Sequence, residues 1–571
     1  MKDQKLAANI LNNIKSDKEQ TLVVTNQFSK LIVEAPAGFG KTYSMINMIK
    51  YWFATDQIKN YQRVLCLSFS VSAANRMKES IENSVNNSDS SAMLIHYVHA
   101  TNFHGLCRSI LSKYGSLVGL NVPVNDYKNI DLSKTDILPP IEKDFVKNFD
   151  DKIKDATISD EGLMKGIEKY NSIARKYLLP NMLLPFNNLI TLVLELLEDH
   201  PQIKKFYKYY YSAICIDEFQ DTNILGLSLI NHLSTDKTRI IAFGDNMQQI
   251  YHFLGAIPSL IDKELELGFE YIRLKTNYRF SNNLDMRTID TNLRSYEEDF
   301  EKANRLPIAH IKAIHESNVF KEATRLNEYI NRYPDDKIAI LVSQNSRTTR
   351  ELLNSVKNNQ PKIFNGLFKE DDDYVILFHN RASEFYQTRF SERTIHTQDI
   401  RSFITDFSKL IRKNEYKSSL LKLLYVFLQK TVKNFSPENR NEVILTTLAS
   451  ISLKQSINNI DSHVVISTIH GSKGLEWDRV ILANFEQNEF PNYYGVKGIG
   501  NFDSSNKLQP NGVNDDEIRK LVNQFYVAFS RAKKEFLISY SDQHWELSSL
   551  VNSQISCIAT LPFLTFQDKW S

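Results

Sequence analysis

The sequence predicts an α/β fold with two parallel sheets, each interrupted by a mostly helical insertion. Apolar, strand-like runs alternate with helical segments along most of the 571 residues, which is the pattern of parallel sheets covered by helices. Residues 109–202 and roughly 372–459 break this alternation, because Leu, Lys, Asn, Glu and Ile recur there at helical spacing. A chain of this length is expected to form several domains.

The strands of each sheet are predicted from short apolar runs. The first sheet is expected to use residues 31–35, 64–69, 213–217 and 240–245. The second sheet is expected to use residues 310–314, 338–343, 464–469, 480–483 and 536–539. The chain is therefore divided into a first sheet domain (1–108 and 203–303), a first insertion (109–202), a second sheet domain (304–371 and 460–571) and a second insertion (372–459).

Composition excludes several classes of protein. The apolar fraction of 42% and the charged fraction of 24% are normal for a folded protein with large cores. No apolar stretch is long enough to cross a bilayer, and the N-terminus lacks the apolar region of a signal peptide. The scattered cysteines Cys66, Cys107, Cys215 and Cys557 argue against zinc, iron–sulfur clusters and disulfides, and favour a cytoplasmic location. The net charge of +2 means that any binding to a polyanion must come from local placement of charge.

A glycine-rich turn follows the first predicted strand and precedes a predicted helix. It reads Ala35-Pro36-Ala37-Gly38-Phe39-Gly40-Lys41-Thr42, and in this context the string is typical of a phosphate-binding loop. Backbone N–H groups of the turn and the helix N-terminus would face the phosphates. Lys41 would reach the outer phosphates, and Thr42 would offer its hydroxyl to Mg²⁺.

Two adjacent carboxylates, Asp217 and Glu218, end the predicted strand at 213–217. Open α/β sheets bind ligands at the carboxyl ends of their strands, and phosphoryl transfer to water needs both a metal and a group that orients the water. Asp217 is suited to the metal through its water shell, and Glu218 to the attacking water. An acidic pair in this place could also cap a helix, but the phosphate loop favours the catalytic interpretation.

Further segments then resemble, in the family's order, the motifs of superfamily 1 helicases of the UvrD/PcrA/Rep type. They are 68–74 (SFSVSAA), 101–107 (TNFHGLC), 244–256 (GDNMQQIYHFLGA), 277–279 (NYR), 468–477 (TIHGSKGLEW) and 526–532 (YVAFSRA). The resemblance implies two RecA-like domains and a 3′→5′ single-stranded DNA translocase or helicase that uses ATP and Mg²⁺. Its partner would be single-stranded DNA or a junction of single- and double-stranded DNA.

The resemblance also implies residue roles. Gln20 would read the adenine edge, Tyr43 and Tyr278 would stack on adenine, and Gly474 and Glu476 would contact the nucleotide. Gln248 would sense the γ-phosphate, and Arg279 and Arg531 would be arginine fingers, with Arg531 reaching across from the second domain. The residues implied to line the DNA channel are Phe69, His104, Tyr251, Phe253 and His470. An isolated arginine is more often part of a surface ion pair, but the position of Arg279 and Arg531 within the motifs favours the finger role. The alternative for Phe69 and Phe253 is that they are core residues at strand ends, and stacking is favoured for Phe253.

Two departures from the family pattern leave a second function open. Leu254 replaces an arginine that joins the nucleotide site to the DNA channel, and the second insertion is shorter than in well-known family members. The alternative is therefore a DNA-stimulated ATPase switch subunit that acts with a nuclease or another protein of repair or antiphage defence. A small-molecule kinase or GTPase is disfavoured, since no Asn-Lys-x-Asp guanine signature is present. The basic and aromatic run from Lys204 to Tyr211 is predicted to be a helix packed beside the strand at 213–217.

Overall fold

The computed structural model describes residues 3–59, 61–69, 71–85, 94–130, 132, 137–251, 255–257, 259–359, 363–369, 372–491, 508, 510, 512, 515–546 and 549–568. The chain forms two compact units, each made of two stretches of sequence. Unit 1 comprises Met1–Thr276 and Lys369–Leu453, and unit 2 comprises Asn277–Phe368 and Lys454–Ser571. Residues 277–303, which we expected in the first sheet domain, thus belong to unit 2.

The strands and helices are numbered in chain order. The strands are β1 (Lys30–Glu34), β2 (Arg63–Ser68), β3 (Val98–Asn102), β4 (Tyr211–Asp217), β5 (Arg239–Gly244), β6 (Glu270–Arg273), β7 (Ala309–Glu316), β8 (Ile338–Val342), β9 (Ile363–Asn365), β10 (Val464–Thr468), β11 (Trp477–Leu482), β12 (Ala532–Ser541), β13 (Gln543–Glu546), β14 (Ser549–Asn552) and β15 (Leu564–Gln567). The α-helices are α1 (Gln4–Ile14), α2 (Lys18–Thr25), α3 (Lys41–Ala54), α4 (Val71–Val85), α5 (Leu94–Tyr97), α6 (Phe103–Tyr114), α7 (Pro140–Lys154), α8 (Asp160–Ile173), α9 (Phe186–Asp199), α10 (Pro201–Tyr210), α11 (Ile224–Leu233), α12 (Leu260–Glu266), α13 (Leu284–Glu298), α14 (Val319–Arg332), α15 (Arg347–Asn359), α16 (Asp373–Arg389), α17 (Thr397–Leu410), α18 (Lys417–Asn434), α19 (Pro437–Ala449) and α20 (Asp515–Phe529).

Unit 1 is built on a parallel six-stranded sheet in the order β3-β2-β4-β5-β1-β6. Its strands are apolar on both faces, because helices cover both sides. Leu31 and Val33 enter a core with α1–α3, whereas Ile32 enters a core on the opposite face. The sheet register places Glu34 of β1 beside Gly244 of β5, so the carboxyl ends of these strands lie at one edge.

The first insertion shares a core with this sheet. Ile110, Leu192 and Leu196 of the insertion are buried in the same cluster as Ile214 of β4. The helices α7 and α8 approach closely, since a side chain at Gly166 would overlap the ring of Phe149. The predicted helix before β4 is confirmed as α10, which ends where β4 begins.

The second insertion, α16–α19, belongs to unit 1. Its helices bury a cluster of aromatic rings that includes Phe378, Phe403 and Phe407. Two ion pairs join it to α4. Lys78 Nζ lies 2.9 Å from Glu442 Oε1, and Lys430 Nζ lies 3.0 Å from Glu79 Oε2.

Unit 2 is built on a parallel seven-stranded sheet in the order β15-β7-β12-β11-β8-β10-β9. The short antiparallel hairpin β13–β14 stands apart from it. The helices α14 and α15 cover one face of the sheet, where Leu326 and Leu352 are fully buried against Ile340. None of the described helices combines the length and apolarity that a bilayer crossing requires.

The predicted fold class, two parallel sheets with many helices, is confirmed. Each strand that was predicted is present, with ends that differ by a few residues. The prediction missed strands β3, β6, β9, β13, β14 and β15.

Candidate functional site

The phosphate loop has the backbone that a tight turn before a helix requires. Gly38 and Gly40 adopt φ angles of 86° and 85°, in the left-handed region where a side chain would be strained. Gly40 is the N-cap of α3, and Lys41 is the first residue of that helix. The amide of Ala35 donates to the carbonyl oxygen of Gly244 at 2.9 Å, which ties the start of the loop to β5. The loop therefore presents the N-terminus of α3 at the carboxyl edge of the sheet.

Lys41 meets both predicted carboxylates at this edge. Its Nζ lies 3.1 Å from Asp217 Oδ1 and also forms an ion pair with Glu218. Burial alone would lower the pKa of Lys41, but the charges of Asp217 and Glu218 outweigh burial and raise it. Burial also raises the pKa of Asp217, and the charge of Lys41 opposes that rise. The cation and the two carboxylates thus form one tightly interacting group.

Glu218 is held in an unusual backbone conformation. Its φ of 57° and ψ of 47° place a non-glycine residue in the left-handed region, a strain that is concentrated at functional sites. Gln220 Nε2 donates to Glu218 Oε2 at 2.7 Å, while Lys41 binds the other carboxylate oxygen. The carboxylate is therefore fixed from two sides.

Gln220 is a residue to which our sequence analysis gave no role. Its side chain is fully buried, and its Oε1 accepts a hydrogen bond from the Asp245 amide at 3.1 Å. Gln220 thus connects Glu218 to the turn that follows β5. Its position two residues after Glu218 was the available signal, but a helix-capping or surface role was equally compatible with it.

Gln248, the predicted γ-phosphate sensor, lies in that same turn. It is buried, and its Nε2 donates to Asp245 Oδ2 at 2.8 Å. Because β4, β5 and β1 are neighbours in the sheet, the segments that carry Glu218, Gln248 and Lys41 emerge side by side. Unit 1 therefore gathers these three predicted residues at one edge.

The oxygen donors available here fit Mg²⁺. Thr42 follows Lys41 in the first turn of α3, and Asp217 supplies a carboxylate beside Lys41. Within the described ranges, no group of three or more His, Cys, Asp or Glu residues is placed to hold a metal ion. A few hard oxygen donors beside a phosphate loop match the preference of Mg²⁺, which keeps several waters and binds substrate phosphates.

The residues predicted to contact adenine are divided between the two units. In unit 1, Gln20 is buried on α2, which packs beside α3, and Tyr43 is about half exposed. In unit 2, Tyr278 is also about half exposed.

Unit 2 brings three of the predicted motifs together. Arg279 forms an ion pair with Glu476 and donates to the carbonyl oxygen of Ser530. Arg531 is buried, and its Nε donates to the Val527 carbonyl oxygen at 2.9 Å. Gly474 precedes Glu476 by two residues and has a φ of 76°. Both predicted arginine fingers therefore belong to unit 2, whereas we expected Arg279 in the first domain.

The residues predicted to line a DNA channel have different surroundings. The rings of Phe69 and Tyr251 stack at 5.1 Å with an interplanar angle of 23°, and both are partly exposed. His104 packs edge-on against Phe186, and burial together with the charge of Arg108 lowers its pKa to about 4. His470 is half-buried in unit 2. Phe253 and Leu254 lie outside the described residues.

Comparison with known proteins agrees with this geometry. Residues 16–267 match the model of the UvrD/REP helicase N-terminal domain, and residues 352–543 match that of the UvrD-like helicase C-terminal domain. A probable DNA helicase II homolog of Mycoplasma capricolum is 24% identical, over 91% of this chain and 84% of that protein. The ATP-dependent DNA helicase PcrA of Staphylococcus aureus is 22% identical, over 93% of this chain and 84% of that protein. A probable DNA helicase II homolog of Mycoplasma genitalium is 22% identical, over 94% and 87% respectively.

The two matching models together cover more than half of the chain, and they include the phosphate loop, the acidic pair and two of the motifs gathered in unit 2, at 468–477 and 526–532. The motif at 277–279 lies between the two matched ranges. This chain belongs to the UvrD/Rep family of DNA helicases.

Proposed function

We propose that this protein is an ATP- and Mg²⁺-dependent DNA helicase that translocates 3′→5′ along single-stranded DNA. The main support is the group formed by Lys41, Asp217 and Glu218 at the carboxyl edge of the first sheet. The family membership, and the ATP-dependent helicase activity for which the PcrA relative is named, are consistent with this proposal.

In the proposed reaction, the loop amides and Lys41 bind the outer phosphates of ATP. Mg²⁺ beside Thr42 and Asp217 would neutralise charge on those phosphates. Glu218 orients and deprotonates the attacking water, and Gln220 keeps its carboxylate in position. Gln248 reports the state of the γ-phosphate to the turn that contains Asp245.

Arg279 and Arg531 are proposed to stabilise the charge that develops on the γ-phosphate. Their guanidinium groups can take this role because phosphoryl transfer spreads negative charge over the equatorial oxygens. Glu476 holds Arg279 through an ion pair, and backbone carbonyl groups hold Arg531. Gln20, Tyr43 and Tyr278 are proposed to bind the adenine.

The DNA strand is proposed to run over Phe69, His104, Tyr251, Phe253 and His470. Bases stack on exposed aromatic rings with little sequence preference, which suits a protein that moves along any strand. The stacked pair formed by Phe69 and Tyr251 provides the strongest support, because its rings are partly exposed and already parallel.

The first test concerns chemistry. Glu218→Gln should bind ATP normally but lower turnover by roughly 100-fold or more, since a positioned general base contributes about that much. Glu264→Gln is a matched control, because Glu264 is a buried glutamate of unit 1 that lies on α12 and not in the phosphate loop or the acidic pair. If Glu218→Gln hydrolysed ATP as fast as the control variant, the base assignment would be wrong.

The second test concerns direction and unwinding. Partial duplexes with a 3′ tail should be unwound in the presence of ATP, and those with a 5′ tail should not. Unwinding from 5′ tails alone would reverse the proposed polarity.

One observation favours an alternative function. The second insertion is joined to α4 by the ion pairs Lys78–Glu442 and Lys430–Glu79, so it is built into the unit that carries the phosphate loop. Such an insertion suits a DNA-stimulated ATPase switch that signals to a protein partner, such as a nuclease, and unwinds little itself. ATPase activity that rises with single-stranded DNA, but without strand displacement from either tail, would support this alternative.

A further inference from the structure

A small cavity lies where the two insertions of unit 1 meet. Its volume is about 160 Å³, enough for roughly five waters at their share of liquid volume. One wall is Arg108 of α6, a second is the segment 125–129, and a third is formed by Asn380, Ser383, Glu384 and Gln387 of α16. We call this cavity the Arg108 pocket.

Arg108 is a buried cation that has no carboxylate partner among the described residues. Its side chain is only 6% exposed. Its Nη1 donates to the Val124 carbonyl oxygen at 3.3 Å, and its Nε meets no hydrogen-bond partner among the described residues. Burial lowers the pKa of Arg108 to about 10, with only Cys107 acting in the opposite direction. A buried charge in this state is costly unless a counter-charge is supplied.

The acidic residues of the pocket do not supply that counter-charge. Glu384 forms an ion pair with Lys128 at 2.9 Å, and both side chains are about half exposed. Asp126 is exposed to solvent. Neither carboxylate contributes to the shift in the pKa of Arg108.

The other lining groups can donate hydrogen bonds to an anion. They are the amides of Asn125, Asn129, Asn380 and Gln387, and the hydroxyl of Ser383. The Asn129 amide oxygen is buried without a partner, and a turned amide would present its N–H₂ group instead. Donors on several walls around one guanidinium group suit a tetrahedral oxyanion better than a planar or spherical one.

We propose that the Arg108 pocket binds a phosphate group, either free or as part of a nucleic-acid backbone. The walls come from both insertions, so a bound phosphate would bridge them and hold α16 against the segment 125–129. This site is separate from the phosphate loop and does not depend on the proposed helicase reaction.

The test measures thermal unfolding of the full chain in the Lys41→Ala background, in which phosphate binding by the loop is expected to be weakened. Inorganic phosphate should raise Tm saturably, by roughly 2 °C or more, relative to chloride and acetate at equal ionic strength. Arg108→Met should abolish the rise. Arg175→Met is the matched control, because Arg175 is an arginine of the first insertion that is paired with Glu195, and it should keep the rise.

A second variant keeps the proposal testable if Arg108→Met fails to fold. Ser383→Glu places a carboxylate in the pocket, so it should raise Tm without phosphate and eliminate the phosphate response. A Tm that does not respond to phosphate, or responds equally to acetate, would overturn the proposal. So would a response that Ser383→Glu leaves intact.

The source of the phosphate group is determined by measuring the affinity for an oligo-dT at several salt concentrations. If the DNA backbone occupies the pocket, Arg108→Met should lower the slope of log affinity against log salt by about 0.7. If the slope is unchanged while the Tm response is lost, the ligand is free phosphate or a small phosphorylated molecule.

Discussion

The variant Gln220→Met should show whether Gln220 positions Glu218 for catalysis or only stabilises unit 1. The substitution removes the 2.7 Å hydrogen bond to Glu218 Oε2 and the acceptor of the Asp245 amide. A hydrogen bond to a charged group contributes about 1.5–3 kcal/mol, and a buried unsatisfied amide costs about 1–3 kcal/mol. Methionine preserves most of the volume, so these two losses together should lower the free energy of unfolding by about 2.5–6 kcal/mol.

The fall in kcat should be larger than the loss of folded protein can explain. With one of its two anchors removed, the Glu218 carboxylate samples orientations in which the attacking water is misplaced. Loss of a supporting hydrogen bond to a functional group typically costs roughly 10–100-fold. The kcat for ATP should therefore fall by that factor at a temperature where the variant is fully folded, and the KM should change little.

Gln249→Met is the matched control for this experiment. Gln249 is also buried, and its Nε2 donates to the carbonyl oxygens of Gln220 and Ile257 at 2.7 and 2.9 Å. These hydrogen bonds go to backbone carbonyl groups and not to the Glu218 carboxylate, so stability should fall comparably while kcat changes by less than about 3-fold. Equal losses of kcat in the two variants would refute the positioning role of Gln220.

Three further results are expected. Lys41→Ala should weaken ATP binding at least roughly 10-fold, measured by equilibrium titration, because the buried cation that faces the phosphates is lost. Tyr251→Ala should weaken binding of oligo-dT by about 1–3 kcal/mol, measured by fluorescence anisotropy, because base stacking on an aromatic ring contributes that much. Burial lowers the pKa of His379 to about 4, so the stability that its neutral form contributes is complete above pH 6.5 and is lost as the pH falls through 4. Over that range the loss is about 3 kcal/mol. In His379→Asn, the free energy of unfolding measured with urea should therefore fall less steeply as the pH is lowered from 6.5 to 4. An unchanged dependence on pH would contradict the role given to His379.

The site at the carboxyl edge of the first sheet could be predicted from the sequence, because its functional residues lie in short contiguous segments. The loop from Ala35 to Thr42 and the pair Asp217–Glu218 each follow an apolar strand, and parallel strands deliver such residues to the same edge. The bridge made by Gln220 could not be predicted, because it depends on the left-handed turn at Glu218. The Arg108 pocket was also missed, since its walls come from segments more than 250 residues apart in sequence.

The two missed strands of the first sheet, β3 and β6, share a physical cause. β6 reads Glu-Tyr-Ile-Arg and β3 contains His99 and Asn102, so neither shows a continuous apolar run. Both are edge strands of the first sheet, where one side lacks a neighbouring strand and polar side chains are tolerated. Their strand conformation comes from pairing with β1 and β2, a tertiary effect that propensity does not reveal.

Helix α4 links the proposed DNA contact to the second insertion. It begins at Val71, inside the segment 68–74 that resembles a DNA-contacting motif, and Phe69 just before it stacks on Tyr251. Farther along the same helix, Lys78 and Glu79 pair with the second insertion. A rigid helix transmits a displacement at one end to the other. If DNA bound at Phe69 shifted, α4 would therefore move, and the second insertion paired with it would move as well. In the opposite direction, a protein partner bound to the second insertion could act on the DNA contact through the same ion pairs.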